Sequence, residues 1–237
     1  MSAPQRAFVV GATGFTGREV VAALREAGIP TVAHVRAESS RRAEWTARFE
    51  ALGAEVDASP WEPDAILSAL TRGRPTQIYA LLGTTRKRAQ GEGRTATEGY
   101  QAIDYGLTKL MIDAAASLDP PLPLFVYLSS IGVSPKTTNP YLAARAKVEA
   151  ALEASPLPYF AARPSIISGP GRDDSRPAEH VGAAIADFAL GALGLFGARK
   201  TNQRYASTRP EILALALVRL ACAGESPRRA VEGQELR

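Results

Sequence analysis

Ser130, Tyr141 and Arg145 are spaced for proton transfer at a polar bond. Leu128-Ser-Ser130 closes an apolar run, and eleven residues beyond Ser130 the string Tyr141-Leu-Ala-Ala-Arg145-Ala-Lys147 opens a segment with helical character. Residues four apart share a face of a helix, so Tyr141 and Arg145 are expected to point the same way. A cation beside a phenol lowers its pKa and lets it act as general acid or base at a substrate carbonyl, while Ser130 would hydrogen-bond the same oxygen. Lys147, six residues on from Tyr141, lies about 600 degrees round the helix and off that face. A plain structural reading stands beside each of these. Tyr141, following Asn139-Pro140, could be a first-turn aromatic packed on a sheet, and Ser129 and Ser130 could be hydrogen-bonding caps of a strand end.

The second constellation is Gly11-Ala-Thr13-Gly14-Phe15-Thr16-Gly17-Arg18. It stands between the apolar run Ala7 to Val10 and the segment Arg18 to Ala27, whose Val20, Val21, Leu24 and Ala27 fall on one helical face. Strand, glycine turn and helix in that order form a dinucleotide site: Gly11 for the bend, Gly14 for close backbone approach to a pyrophosphate, and Gly17 for helix-on-strand packing. The phosphates would sit on the positive end of the helix. The spacing is G-x-x-G-x-x-G rather than G-x-G-x-x-G, and such a turn can also exist without a ligand. At the end of the second run, Ala33-His-Val-Arg36 places arginine where an NAD enzyme commonly holds Asp or Glu for the ribose 2'-hydroxyl. Arg36 with Arg18 could grip a 2'-phosphate, so NADP(H) is the expected cofactor, the alternative being two solvated arginines. Asp57, closing the third run, either faces the adenine or begins a turn. His34 is expected at a sheet edge near the adenosine.

Positioning these residues takes an alternating scaffold. Strands are expected at Ala7 to Val10, Thr31 to Val35, Ala54 to Asp57, Gln77 to Leu82, Leu124 to Ser129 and Tyr159 to Arg163. Helices are expected at Arg18 to Ala27, Ser40 to Leu52, Pro63 to Arg72, Tyr100 to Ser117, from Pro140, and at Pro210 to Ala223. Helix-length connections between strands mean crossovers, hence an α/β fold: a doubly wound parallel Rossmann sheet with helices on both faces. Residues 1–168 form the expected NADP-binding core. Residues 169–237 form a small C-terminal substrate lobe with a last helix packed on that core, all within one structural domain. Val181 to Ala198 is apolar or small apart from Asp187 and is expected as a buried or substrate-facing helix rather than a membrane span. If it lines the site, it points to a hydrophobic or aromatic small-molecule substrate. Glu225 to Arg237 is polar and expected to be frayed or lightly packed.

Bulk properties narrow the classes. With 46% hydrophobic and 22% charged residues in 237, the chain can bury a substantial core and is not of disordered composition. A single cysteine, Cys222, cannot close a disulfide within the chain, and His34 and His180 have no ligand neighbours at metal spacing, so no metal is expected. With a net charge of +4 and scattered arginines, no nucleic-acid partner is expected. The start lacks the apolar core and cleavage site of a secretory signal, and the cytoplasm is the expected compartment. A homodimer through exposed helices is the assembly allowed.

Several strings together resemble the atypical short-chain dehydrogenase/reductase family, within it the group around the HIV Tat-interacting protein. They are Gly11-Ala-Thr-Gly-Phe-Thr-Gly-Arg18, Leu82-Gly-Thr-Thr-Arg86 with Gly91-Glu-Gly93, Ser129-Ser130, Tyr141-Leu142, Arg163-Pro164 and Ser175-Arg-Pro177. The resemblance implies an NADPH-binding oxidoreductase with Ser130 and Tyr141 in the roles given above. It also implies that Leu82, Gly83, Thr84 and Arg86 lie along the cofactor with Ser129, and that Pro164, Ile166 and Ile167 flank the nicotinamide. Asp104 and Lys109 match the family but also read as surface charges. The family pattern is Tyr-x-x-x-Lys, and position 145 is Arg. Arginine keeps the charge but is planar, bulkier and differently hydrated. Either Arg145 substitutes, or Lys147 reaches in from a poor angle, or catalysis is lost and the chain is an NADP(H)-sensing or partner-binding protein.

Overall fold

The computed structural model describes residues 4–169, 207–224 and 228–237. β1 (Ala7–Val10) leads through the glycine turn into α1 (Gly17–Glu26), β2 (Thr31–His34), α2 (Arg42–Ala51), β3 (Glu55–Asp57) and α3 (Pro63–Gly73). Then come β4 (Gln77–Ala80), the short helices α4 (Arg86–Gly91) and α5 (Ala96–Gly99), a π-helical stretch (Tyr100–Leu107), α6 (Thr108–Ala116), β5 (Leu124–Leu128), α7 (Pro140–Ala154) and β6 (Tyr159–Arg163). α8 (Pro210–Cys222), β7 (Arg228–Glu232) and a 3-10 turn (Gly233–Leu236) close the described chain.

The sheet is seven-stranded and parallel throughout, in the order β3-β2-β1-β4-β5-β6-β7. Consecutive parallel strands need crossovers, and these put helices on both faces, as the alternating pattern requires. Alternate residues of β1 serve opposite faces. Ala7 and Val9 join one core with Val20, Val21 and Leu24 of α1, Trp45 and Phe49 of α2, and Leu213 and Leu217 of α8. Phe8 and Val10 join the other with Ile66 and Leu70 of α3, Met111 and Ile112 of α6, and Val148 and Leu152 of α7. The chain winds outward from β1 to β3 and then crosses to the other side of β1 at β4. A crevice therefore opens at the carboxyl ends of β1 and β4, where doubly wound sheets take ligands.

The described residues correct the expected elements in four places. The polar ending is not frayed: β7 adds in parallel to β6, with Val231 and Leu236 buried. His34 is not at a sheet edge, because β2 lies between β1 and β3, and its side chain is buried against Trp61. The long helix begins earlier than Tyr100, at Ala96, behind a capping box in which Thr95 and Glu98 bond each other's backbone amides. An additional short helix, α4, is opened by the Thr85 hydroxyl accepting from the Arg88 amide at 3.2 Å. Ser175 to Pro177, His180 and the apolar Val181 to Ala198 segment lie outside the described residues. α8 packs on α1, so the described part of 169–237 lies directly on the sheet core.

Candidate active site

The three glycines of the first turn serve different ends. Gly11 has φ +75°, and a Cβ there would lie 2.5 Å from the Leu81 carbonyl oxygen on β4's exit. A Cβ on Gly17 would lie 2.1 Å from the Gly11 oxygen. Both are demanded by the protein's own packing. Gly14 is exposed, and its added Cβ would meet the Gly11 oxygen at 3.1 Å, the mildest contact of the three. Thr16, at the cap of α1, makes no side-chain hydrogen bond to the helix amides, so that positive helix end carries no capping group. Phe15 stacks under Arg18, whose guanidinium carbon lies 5.3 Å from the ring centroid. The segment after β6 comes over this turn, since an added Cβ on Gly169 would reach Phe15 Cζ at 3.3 Å. This brings the stretch containing buried Pro164 and half-buried Ile166 and Ile167 to the same end of the sheet as the glycine turn.

On the β4 side of the crevice lies a buried polar seam. Asp104, from the π-helical stretch, accepts the Thr84 amide on Oδ2 at 2.9 Å and Arg145 Nη1 on Oδ1 at 2.5 Å. Asp104 is 0% exposed and Arg145 4%. The Arg145 guanidinium carbon sits 4.0 Å from the Tyr141 ring centroid, so the cation faces the ring as the four-residue spacing requires. Tyr141 in turn meets Tyr100 edge-on, centroids 5.5 Å apart. Gly83 lies against the pair, because a Cβ there would be 3.6 Å from Arg145 Nη2 and 3.7 Å from Asp104 Oδ1. Burial opposes charge on Arg145, but Tyr141, Tyr127 and Asp104 raise its pKa above the ordinary value, and it stays protonated. Burial likewise pushes the Tyr127 phenol up, opposed by Arg145. Four buried polar atoms of this region, Thr84 Oγ1, Thr108 Oγ1, Tyr127 Oη and Arg145 Nε, have no hydrogen-bond partner among the described residues.

The remaining sequence-derived residues distribute around these two walls. Ser130 is half-buried and turns its hydroxyl to the Ile131 carbonyl at 3.3 Å. Ser129 donates to Glu149 Oε1 at 2.5 Å and so belongs to a network in which Arg163 pairs with both Glu149 and Glu232. Lys147 bonds Gln101 at 2.8 Å and lies 5.7 Å from the Tyr105 ring, and it has no part in the Arg145–Asp104 ion pair. Asp57 begins a turn by accepting the Ser59 amide and hydroxyl at 3.1 and 2.8 Å. Arg36 and Arg86 are exposed. Thr13, Leu82 and Gly83 are half-buried along the crevice, with Thr84 buried at its floor. Lys109 is a half-buried charge paired with Asp113.

A model described as NAD(P)H-binding matches residues 11–185, from the first glycine through both walls. The chain belongs to the NAD(P)H-binding family. It is 31% identical over 185 residues to protein fmp52-1, mitochondrial, of Aspergillus terreus, covering 76% of this chain and 74% of that one. Solved structures share the fold. UDP-glucuronic acid 4-epimerase from Bacillus cereus, in complex with UDP-glucuronic acid and NAD, is 16% identical with a TM-score of 0.66, over 96% of this chain and 76% of that one. AtPrR2 with NADP+ and (+)pinoresinol is 13% identical with a TM-score of 0.66, over 98% and 70%.

In this NAD(P)H-binding protein, Asp104 is the residue whose sequence context admits both a family match and a surface charge. It is fully buried and touches both the Thr84 loop and α7. A signal existed: Tyr100-Gln-Ala-Ile-Asp104-Tyr-Gly-Leu is a helical stretch whose one carboxylate stands among apolar and small neighbours. Glu149, the partner of Ser129, carried no such signal, being one of two glutamates along α7. Among the described residues no helix is long and apolar enough to cross a membrane, and no group of His, Cys, Asp and Glu is placed to hold a metal ion.

Proposed function

We propose that the chain is an NADP(H)-dependent oxidoreductase of the atypical short-chain dehydrogenase/reductase type, reducing a carbonyl or similar acceptor on a small hydrophobic molecule. The observation that carries this reading is the Arg145 guanidinium held 4.0 Å from the Tyr141 ring, beside the loop that follows β4 at the crevice. The Leu82-Gly-Thr-Thr-Arg86 string supports placement near the group around the HIV Tat-interacting protein.

The residues fit a dinucleotide. Gly14 leaves bare, exposed backbone at the one glycine that protein packing demands least, and the uncapped end of α1 offers amides to a pyrophosphate. Gly11, Thr13, Gly14, Phe15, Thr16, Gly17 and Arg18 would hold the phosphates. The exposed Arg36 would meet a 2'-phosphate, with Asp57 towards the adenine, and Leu82, Gly83, Thr84, Arg86 and Ser129 would line the path. Pro164, Ile166 and Ile167 would flank the nicotinamide. Such a bound NADPH would supply the hydride that the acceptor carbon takes up. The chain's own part is to complete the reduction: the Tyr141 hydroxyl gives its proton to the acceptor oxygen, Ser130 rotates from the Ile131 carbonyl to anchor that oxygen, and Arg145 stabilises the phenolate left behind.

The test is NADPH oxidation by full-length protein against a panel of hydrophobic aldehydes, ketones and quinones. Turnover that falls at least about 100-fold in Tyr141→Phe supports the reading. Turnover untouched by that substitution, or none with any acceptor, removes it. A second reading, a non-catalytic NADP(H)-binding or partner-binding protein, is favoured by the neutralisation of Arg145 by Asp104, and NADPH binding without turnover would identify it. We place the protein in the cytoplasm as a homodimer with no nucleic-acid partner. The relatives named as mitochondrial make fractionation of the tagged full chain, with sedimentation for the dimer, the check.

A further inference from the structure

We propose that Asp104 is the positioning residue of this site: one carboxylate oxygen holds the Arg145 guanidinium on the face of Tyr141 while the other holds the Thr84 end of the loop after β4. A single buried group would then fix the catalytic helix and the cofactor loop in one register. The proposal rests on the reading of Tyr141 as the proton donor given above.

Three observations carry it. The carboxylate is completely buried, and its two oxygens have partners on two separate elements, the Thr84 amide and Arg145 on α7. Taking a carboxylate and a guanidinium out of water costs several kcal/mol per ion, so the pair is a poor device for stability and a good one for fixing geometry. Asp104 is the hydrogen-bond partner of the Arg145 guanidinium among the described residues, and Arg145 Nε has none, so nothing else on these elements tethers the cation by a hydrogen bond. The π-helical stretch is the third observation. A segment with i to i+5 bonding is rare, recurs at functional sites, and here carries Asp104 as its buried residue.

The pairing also accounts for arginine at position 145. A lysine there would be a compact cation able to work alone. A guanidinium must be oriented as a plane to lie on a ring, and a bonded carboxylate supplies that orientation. Besides Asp104, the groups facing the cation are Tyr127 from β5 and Tyr141 from its own helix, and Glu149, one turn along α7, acts on Tyr127.

The test uses the full chain labelled at the tyrosine ζ-carbon, with the Tyr141 signal assigned by Tyr141→Phe, and reads the Tyr141 titration by NMR in wild type, Asp104→Asn, Arg145→Lys and the double variant. Asp104→Asn keeps the shape and removes the charge that opposes Arg145, so Tyr141 should ionise about one pH unit lower. The two single effects should be non-additive in the double variant. An unchanged Tyr141 titration in folded Asp104→Asn, or strict additivity, overturns the proposal. A merely structural carboxylate would lower the melting temperature and leave the two single effects additive.

Should Asp104→Asn not fold, wild type decides through its arginine side-chain nitrogen spectrum. Separate, slowly exchanging Nη signals for Arg145 support the held pair, and averaged signals refute it. None of these readouts needs nucleotide or substrate. Failure of NADPH turnover would therefore strike the proposed function, and failure of the titration to move would strike Asp104.

Discussion

Arg145 and Glu149 stand one turn apart on α7 and face opposite kinds of surroundings. Arg145 meets Asp104 in a seam where the two side chains are 4% and 0% exposed. Glu149 meets Arg163, which also reaches Glu232, in a network whose side chains are 15%, 24% and 23% exposed. The inner pair has given up nearly all its hydration, gives Asp104 two hydrogen-bond partners and Arg145 one, and leaves Arg145 Nε unbonded. The outer network keeps part of its hydration and shares its bonds among α7, β6, β7 and Ser129, the residue that follows β5. Two ion pairs anchored one turn apart on the same helix thus do two jobs. The outer set ties the last strand to the sheet, and the inner set fixes a cation against an aromatic ring at a cost in stability.

That contrast can be broken by substitution. The largest effect is expected for Asp104→Ala, which strands a protonated guanidinium in the core: unfolding free energy should fall by about 3–5 kcal/mol in denaturant titration. Replacing Asp104 and Arg145 together by Leu and Met should recover most of that loss, which a pair contributing net stability would not permit. Next comes Glu149→Gln, which removes the charge that Ser129 and Arg163 share in half-exposed surroundings. About 1–2 kcal/mol is expected, with the Tyr141 titration moving much less than in Asp104→Asn. A buried neutral group at the far end of the same sheet sharpens the comparison through pH. Burial lowers the His34 pKa below 6.5 despite its bond to the Ser59 carbonyl. Between that lowered value and 6.5 the unfolded chain binds more protons, so stability should rise with pH there by at most about 1.4 kcal/mol per unit, and His34→Leu should flatten that part of the stability curve. The smallest effect is expected for Glu232→Gln at the rim of the outer network, under about 1 kcal/mol and further reduced by salt.

The sheet was legible because its strands are short apolar runs between helical periods, and the glycine turn because backbone crowding at Gly11 and Gly17 admits no other residue. β7 was not. Arg228-Arg-Ala-Val-Glu232 buries Val231 alone on an outer strand, so it has neither the continuous apolar run of an inner strand nor the alternation of a half-buried one. The four-residue spacing put Tyr141 and Arg145 on one face, and they are in contact. What spacing could not show is Asp104, 41 residues away from Arg145, since only the fold joins those positions. The π-helical geometry was equally hidden, because residues 100–107 keep an ordinary helical composition. Asp57 shows the reverse case: the turn it begins was one of two readings open at the sequence level, and its carboxylate bonds Ser59.

In the proposed function, the crevice between β1 and β4 takes a phosphorylated dinucleotide and Arg36 reads the 2'-phosphate. Calorimetric titration of the full chain with NADPH and NADH, in wild type and Arg36→Ala, tests it most directly. NADPH should bind more tightly than NADH, and the substitution should weaken NADPH at least tenfold, about 1.4 kcal/mol, while leaving NADH nearly unchanged. Equal affinity for the two nucleotides in both proteins would contradict the role of Arg36, and binding of neither would contradict the site itself.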